Sequence, residues 1–276
     1  MPSIDCFQPV GTSHDDVRRY SRARRNALPR ADHVTTVSGR WAHEVVLRSQ
    51  APIDAVFWCP GPRRDPDLEA TASRVASQAD RAYRVSERVL ARLQPEASAP
   101  ALLSVVRLPT WDARSVLTGS ARLVLVADGI EYAGNLGTLV RTADACAADA
   151  LVLTRATARV THPKVFAASR GTLLTVPVLI FGSIAEARAG LTEAGFTAYV
   201  ADPAGATPYR DAGLGRGRTA VVVGSEGDGV SEEWRIGLTR VAIPMRGRAD
   251  SLNVAVSAAV LLFEARAALD DARERE

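Results

Sequence analysis

Three stretches in the C-terminal half of the sequence combine glycine with short polar side chains. They are Gly134-Asn135-Leu136-Gly137 with Arg141 shortly after it, then Gly224-Ser225-Glu226-Gly227, then Ser251-Leu252-Asn253. Glycine lets a ligand approach the backbone closely. Amide, carboxylate, hydroxyl and guanidinium groups can orient a polar substrate and stabilise charge that develops on it. The three stretches therefore have the composition of a ligand-binding cleft that carries catalytic groups.

The third stretch lies between a predicted strand and a predicted helix. Residues 241–243 are apolar, and Pro244 ends the strand because it has no N–H to donate. Residues 254–269 are rich in alanine and apolar on nearly every face, which predicts a buried helix. Ser251 then falls at the expected N-cap, and Asn253 falls in the first helical turn. Backbone N–H groups at such a helix start converge with two short polar side chains.

Each stretch taken alone has a simpler explanation. Asn135 could be a helix cap, and Glu226 could be a solvent-facing turn residue. The first stretch could also belong to a dinucleotide site, but it lacks the full Gly-x-Gly-x-x-Gly spacing, and no acidic residue ends a strand about 20 residues later. Three such loops at successive strand ends of one sheet indicate a single site.

From residue 122 onward the pattern alternates strand, loop and helix. Strands are predicted at residues 123–127, 150–153, 176–180, 197–200, 219–223 and 241–243, and helices at 136–147, 162–170, 183–194 and 232–238. The fold class predicted for this part is α/β, with an open parallel sheet. Ligands bind such sheets at the carboxyl ends of the strands.

The N-terminal part predicts a smaller α/β unit. Residues 33–93 alternate short strands with short helices, and residues 102–106 are apolar enough to pair as an edge strand. The domain boundary is expected between residues 108 and 120. The predicted organisation is a basic segment at 1–30, a small α/β domain at 31–108, a linker at 109–120 and a larger domain at 121–276.

Composition excludes several classes of protein. The chain has 276 residues, 47% of them hydrophobic, which indicates a globular protein. No apolar run reaches the ~18 residues of a membrane span, and the N-terminus lacks the basic-then-apolar order of a signal peptide, so no membrane partner and a cytoplasmic location are expected. The three cysteines have no spacing typical of zinc or disulfides, and no metal is expected.

The net charge is only +3, but its cations are almost all arginine, since Lys164 is the single lysine. Arginine suits bidentate phosphate contacts and stacking on bases. The basic segment, with Tyr20 among its arginines, is suited to RNA contact, although a solvated helix face remains the alternative. The candidate RNA-contact residues are Arg18, Arg19, Arg22, Arg24, Arg25 and Arg170.

The three polar stretches, in order and with matching spacing, resemble the signature motifs of the SpoU/TrmH branch of SPOUT RNA methyltransferases. The resemblance runs over residues 123–268. The N-terminal unit more weakly resembles the ribosomal-protein-like RNA-binding domain that many members carry, including the thiostrepton-resistance type, and this is clearest at residues 34–57.

The resemblance implies a C-terminal parallel sheet with a deep trefoil knot and a homodimer whose active sites use residues of both subunits. It implies that S-adenosyl-L-methionine binds in the knotted cleft. The implied cofactor-binding residues are Val223, Gly224, Ser225, Gly227, Ile243, Met245, Ser251 and Leu252.

The implied reaction is methylation of a ribose 2′-hydroxyl in RNA, with rRNA favoured and antibiotic self-resistance a plausible role. The implied catalytic residues are Arg141, Asn135, Glu226, Ser251 and Asn253. Arg141 would stabilise the developing alkoxide or act as the base, and Glu226 would fix Arg141 or the substrate. The alternatives are a tRNA 2′-O-methyltransferase, a small-metabolite methyltransferase and a catalytically inactive RNA-binding homologue.

Overall fold

The structure, a computed structural model, describes residues 6–23, 33–62, 65–95, 97, 99 and 101–274. The elements up to the middle of the chain are β1 (Gln8–Pro9), α1 (Asp15–Ala23), β2 (Val34–Ser38), α2 (Arg40–Ser49), β3 (Ile53–Cys59), α3 (Pro66–Ala76), β4 (Ala82–Arg84), α4 (Glu87–Leu93), β5 (Ala101–Arg107), α5 (Ala113–Thr118), β6 (Leu123–Asp128) and α6 (Ala133–Ala145). The remaining elements are β7 (Ala150–Thr154), α7 (Pro163–Ala168), β8 (Val178–Ile180), α8 (Ile184–Glu193), β9 (Thr197–Ala201), β10 (Thr207–Pro208), β11 (Thr219–Gly224), α9 (Glu232–Arg235), β12 (Thr239–Ala242) and α10 (Val254–Arg273).

The chain divides into two compact units. The first comprises Met1–Pro109 and Arg159–Thr175, and the second comprises Thr110–Ala158 and Val176–Glu276. The segment 159–175 thus belongs to the first unit although its neighbours in sequence belong to the second. Within the described residues, no helix is both long enough and apolar enough to cross a membrane.

The first unit is built on a five-stranded sheet with the order β1-β4-β3-β5-β2. Strand β5 runs antiparallel to both β3 and β2, so the prediction that residues 102–106 form an edge strand is wrong. The physical reason is that Leu102, Leu103, Val105 and Val106 are all buried, and a continuous apolar run suits a strand that is covered on both faces.

Helix α1 is fixed to this sheet by a buried polar contact. The hydroxyl of Tyr83 donates to Asp16 Oδ2 at 2.6 Å, and Arg81 donates to Asp16 Oδ1 at 3.0 Å. The arginines of α1 at positions 18, 19 and 22 are exposed. Arg24 and Arg25, also predicted to contact RNA, lie outside the described residues.

The segment 159–175 packs on helix α2 of the first unit. Gly171 has a φ of 83°, and a Cβ at this position would collide with Val45, so only glycine fits there. The guanidinium of Arg170 lies 3.9 Å from the ring centroid of Trp41, and the buried Phe166 ring lies 6.4 Å from the same ring. These contacts join residues that lie more than a hundred positions apart in sequence.

The second unit is the parallel α/β sheet that the sequence predicted. Its seven strands have the order β10-β12-β9-β11-β6-β7-β8, and every pairing between them is parallel. The central strands β6 and β11 are almost wholly buried, and their valines pack with Trp234 in the core. The carboxyl ends of β6, β11 and β12 lead directly into the three polar stretches.

One buried histidine makes the stability of the first unit sensitive to pH. His43 on α2 is 0% exposed; its Nδ1–H donates to Gly39 O at 2.8 Å, and its Nε2 accepts from the Ser104 hydroxyl at 2.9 Å. Burial lowers the pKa of His43 from 6.5 to about 4. The folded protein therefore keeps this side chain neutral over a range in which the unfolded chain binds a proton.

We predict that the free energy of unfolding falls by about 3 kcal/mol as the pH drops from 6.5 towards 4, because only the unfolded state gains the His43 proton in that window. Below the folded pKa this contribution is constant. Urea unfolding of the wild type and of His43→Gln at several pH values measures it. Equal pH dependence in both proteins would show that His43 is not responsible.

Candidate active site

The polar stretch before α10 is organised around the start of that helix. The N-cap is Asn253, whose Oδ1 accepts the backbone N–H of Ala255 at 3.0 Å. The prediction that Ser251 is the N-cap is therefore wrong. Asn253 directly precedes Val254, the first buried apolar residue of the helix, whereas Ser251 is exposed and donates to Asp250 Oδ1 at 3.3 Å.

The capping role of Asn253 fixes the direction of its amide group. Because Oδ1 faces the helix N-terminus, Nδ2 is left to donate on the other side. It donates to Glu226 Oε1 and to Asn135 Oδ1, the latter at 3.3 Å. One amide therefore joins the loops that follow β6, β11 and β12.

Asn135 can take part because it does not cap its own helix. Helix α6 begins at Ala133 with Tyr132 as its N-cap, so Asn135 lies in the first turn. Its side chain is half-buried and faces Asn253. The alternative explanation of Asn135 as a helix cap does not hold.

The loop that carries Glu226 folds back tightly on itself. The N–H of Gly229 donates to Ser225 O at 3.0 Å, and the N–H of Asp228 donates to Ser225 Oγ at 3.2 Å. A Cβ on Gly224 would collide with the backbone of Gly229, so this close approach requires glycine. Glu226 and Gly227 lie at the exposed tip of the loop.

The loops after β9, β11 and β12 surround a cleft with a cavity volume of about 540 Å³. All eight residues predicted to bind a cofactor line it: Val223, Gly224, Ser225, Gly227, Ile243, Met245, Ser251 and Leu252. Of the residues predicted to be catalytic, Glu226, Ser251 and Asn253 also line it, and Asn135 reaches it through Asn253.

Arg141 does not lie at this cleft within its own chain. It follows Asn135 by six residues on α6, which rotates its side chain about 240° around the helix axis. It is exposed, and its guanidinium makes no hydrogen bond or ion pair with any residue that the structure describes. The structure therefore brings together four of the five predicted catalytic residues and leaves Arg141 apart.

Two buried carboxylates near the site were not singled out from the sequence. Asp202 follows β9, lines the cleft, and pairs with Arg240, whose Nε donates to Asp202 Oδ2 at 2.8 Å. Asp128 ends β6, is 0% exposed, and forms a bidentate ion pair with Arg155. For Asp128 the signal was a carboxylate at the end of an otherwise apolar buried strand, whereas β9, which precedes Asp202, is only partly buried.

The described residues predicted to contact RNA all belong to the first unit. Arg18, Arg19 and Arg22 lie on α1, and Arg170 follows α7. Arg170 is exposed and stacks on Trp41, as described above.

Comparisons with known proteins agree with this architecture. The SpoU rRNA Methylase family matches residues 122–263. A 23S rRNA (guanosine(2553)-2′-O)-methyltransferase, RlmP, of Bacillus subtilis is 34% identical over 151 residues, which are 53% of this chain and 59% of the relative. The chain spans 57% to 59% of the length of the first curated relatives that it matches.

Two solved structures match almost the whole chain. An AdoMet-bound rRNA methyltransferase from Sinorhizobium meliloti has a TM-score of 0.82 at 21% identity, covering 95% of this chain and 98% of its own, which shows a shared fold. The SpoU methyltransferase AviRb from Streptomyces viridochromogenes, in complex with AdoMet, has a TM-score of 0.77 at 25% identity, covering 95% and 98%. From the family match, which covers half of the sequence and contains all three polar stretches, we conclude that this chain belongs to the SpoU rRNA Methylase family.

Proposed function

We propose that this protein transfers a methyl group from S-adenosyl-L-methionine to a ribose 2′-hydroxyl in ribosomal RNA. The observation that carries the proposal is the Asn253 amide, which joins Glu226 and Asn135 beside the cleft. The family match supports the reaction class, and the name of the Bacillus subtilis relative supports the 2′-hydroxyl and rRNA.

The cleft fits the cofactor in size and in chemistry. Its volume of about 540 Å³ lies within the usual range of roughly 300–1,000 Å³ for small-molecule sites. Gly224 and Gly227 offer backbone groups without side chains in the way, and the side chains of Ile243, Met245 and Leu252 supply an apolar wall. AviRb, a structural neighbour, is described in complex with AdoMet.

The reaction requires alignment and charge stabilisation. S-adenosyl-L-methionine supplies an electrophilic methyl group on a sulfonium, and the attacking 2′-hydroxyl loses its proton. Asn253, held by its capping bond, orients Glu226 and Asn135 towards the ribose, and Ser251 lies in the same loop. A guanidinium is a poor general base, so we assign Arg141 to stabilise the developing negative charge on oxygen rather than to remove the proton.

We propose that the protein acts as a homodimer in which Arg141 of the partner subunit completes the cleft. Two features of the second unit support this. Arg141 is outside its own cleft, and large apolar side chains are exposed at the N-cap of α6 and on α10, two helices that pack together. Tyr132 is 65% exposed, Phe263 is 50% exposed and Val256 is 48% exposed. Val256 and Phe263 are two helical turns apart and so share one face of α10.

We also propose that the strands of this unit form the trefoil knot implied by the resemblance.

We expect the wild type to transfer a labelled methyl group from S-adenosyl-L-methionine to rRNA, and digestion should yield a 2′-O-methylated nucleoside. Arg141→Ala should lower turnover by at least about a hundredfold, the usual cost of losing one stabiliser of a developing charge, while cofactor binding persists. Tritium transfer measures turnover, and calorimetry measures cofactor binding. Mass spectrometry identifies the methylated nucleoside. Labelling of tRNA or of a small metabolite instead would replace the rRNA assignment, and no labelling of any substrate would indicate an inactive homologue. The self-resistance role stays a prediction, and the identity of the methylated nucleotide would test it.

We predict that two inactive variants restore activity when mixed, because the proposed site combines two subunits. Arg141→Ala and Glu226→Ala, unfolded and refolded together in equal amounts, should recover about a quarter of wild-type activity, since half of the dimers contain one intact site out of two. Each variant refolded alone is the control. A mixture no more active than its components would place Arg141 and Glu226 in the same chain's site and contradict the shared arrangement.

We further propose that the first unit contacts the RNA through Arg18, Arg19, Arg22 and the Arg170–Trp41 pair. An exposed guanidinium stacked on an aromatic ring presents a planar cation, which suits stacking on an unpaired base. The pair lies 3.9 Å apart from guanidinium carbon to ring centroid.

We expect Trp41→Leu to weaken binding of a fluorescent single-stranded RNA about tenfold, the typical effect of losing one stacked base. Trp111→Leu is a matched control, because Trp111 is also 38% exposed but belongs to the second unit. Arg170→Lys should weaken binding nearly as much as Trp41→Leu, since lysine keeps the charge and loses the plane. Equal losses at Trp41 and Trp111, or wild-type binding by Arg170→Lys, would exclude this surface.

A further inference from the structure

We propose that Asp128 is a positioning residue that closes the glycine loop, residues 225–230, into the shape that seats the methyl donor. The inference rests on the proposed function, since it concerns the same cleft. Asp128 itself does not line the cleft, so its role is to hold residues that do.

The carboxylate of Asp128 accepts hydrogen bonds from donors in two segments of the chain, residues 154–155 and Ser231. Its Oδ1 accepts from Thr154 Oγ1 at 3.0 Å and from Arg155 Nε at 2.9 Å. Its Oδ2 accepts from Arg155 Nη2 at 2.8 Å and from the backbone N–H of Ser231 at 2.9 Å. The residue is completely buried, so these bonds have no competition from water.

Both ends of the glycine loop meet at this one residue. Gly224, where the loop leaves β11, is the direct strand partner of Asp128 in the parallel β6–β11 pairing. Ser231, where the loop ends and α9 begins, donates its N–H to the Asp128 side chain. The loop that carries Glu226 therefore begins and ends on Asp128, which fixes the distance between its two ends.

A second layer of contacts supports this arrangement. The buried Trp234 of α9 donates its indole N–H to Thr154 Oγ1 at 3.1 Å. The Thr154 hydroxyl in turn donates a hydrogen bond to Asp128. Burial alone would raise the pKa of Asp128, but the hydrogen bonds from Arg155, Ser231 and Thr154 outweigh it and hold the pKa below its usual value. Asp128 is thus ionised at neutral pH and complements the guanidinium of Arg155.

The test replaces Asp128 with asparagine, which has the same shape but one acceptor fewer and no charge. In either orientation its amide N–H groups would face donors only, so the attachment of the glycine loop to residue 128 should weaken. We expect about tenfold weaker binding of S-adenosylhomocysteine by calorimetry, the usual effect of one lost buried charge-assisted hydrogen bond. We also expect faster hydrogen exchange in residues 225–231 and a lower kcat, with the KM for RNA nearly unchanged.

The matched control is Asp149→Asn. Asp149 Oδ2 accepts the backbone N–H groups of Arg122 at 2.7 Å and Leu123 at 2.9 Å, so it is a similar carboxylate at the opposite end of β6. This variant should lose stability without changing ligand affinity or loop exchange. If both variants have the same effects, or if Asp128→Asn leaves loop exchange as in the wild type, the positioning role is overturned.

Arg155 provides a second route, should Asp128→Asn fail to fold. Its side chain is 49% exposed, so Arg155→Ala is expected to fold and to show the same faster exchange of the loop, whereas Arg155→Lys should restore most of the wild-type protection. Wild-type exchange in Arg155→Ala would also overturn the role. Because exchange needs no ligand, it decides this inference even if the wild type fails to bind S-adenosylhomocysteine, a result that would count against the proposed function alone.

Discussion

The arrangement of the cleft depends on one hydrogen-bonding constraint, the use of the Asn253 side chain as the cap of α10. Once Oδ1 has accepted the N–H of Ala255, the two hydrogens of Nδ2 can be satisfied only on the opposite side. Glu226 and Asn135 are the acceptors there. The start of a twenty-residue helix with a buried face thus fixes the orientation of an amide at the surface, which an isolated loop could not do.

The parallel sheet explains why these three loops can meet. Parallel strands end at the same edge of the sheet, so the polar stretches after β6, β11 and β12 meet there, and the loop after β9 completes the wall of the cleft. Different interactions hold the individual loops in place. The loop after β12 is held by a helix cap, whereas the loop after β11 is held by the close approach of Gly224 to Gly229 and by the Asp128 carboxylate. Backbone contact and buried charge replace the hydrophobic packing that such small residues cannot provide.

The sequence was sufficient for the parallel sheet, because buried apolar runs are a local pattern, whereas the cleft-lining residues were expected from the family resemblance. It was insufficient where two local choices were equally favourable. Ser251 and Asn253 are both good N-caps, and only the burial of Val254 decides between them. The position of β5 inside its sheet and the packing of segment 159–175 on α2 depend on contacts between distant residues, such as Gly171 with Val45, which no local pattern contains.

The separation of Arg141 from the cleft has a physical rationale in the proposed mechanism. A guanidinium beside Glu226 in the same chain would pair with it in every separate subunit. Glu226 instead accepts from the neutral amide of Asn253, so its charge remains available at the cleft, and Arg141 remains exposed on α6. Two groups that meet only when subunits associate would make catalysis conditional on dimer formation, whereas cofactor binding, which uses backbone and apolar groups, would need only one chain.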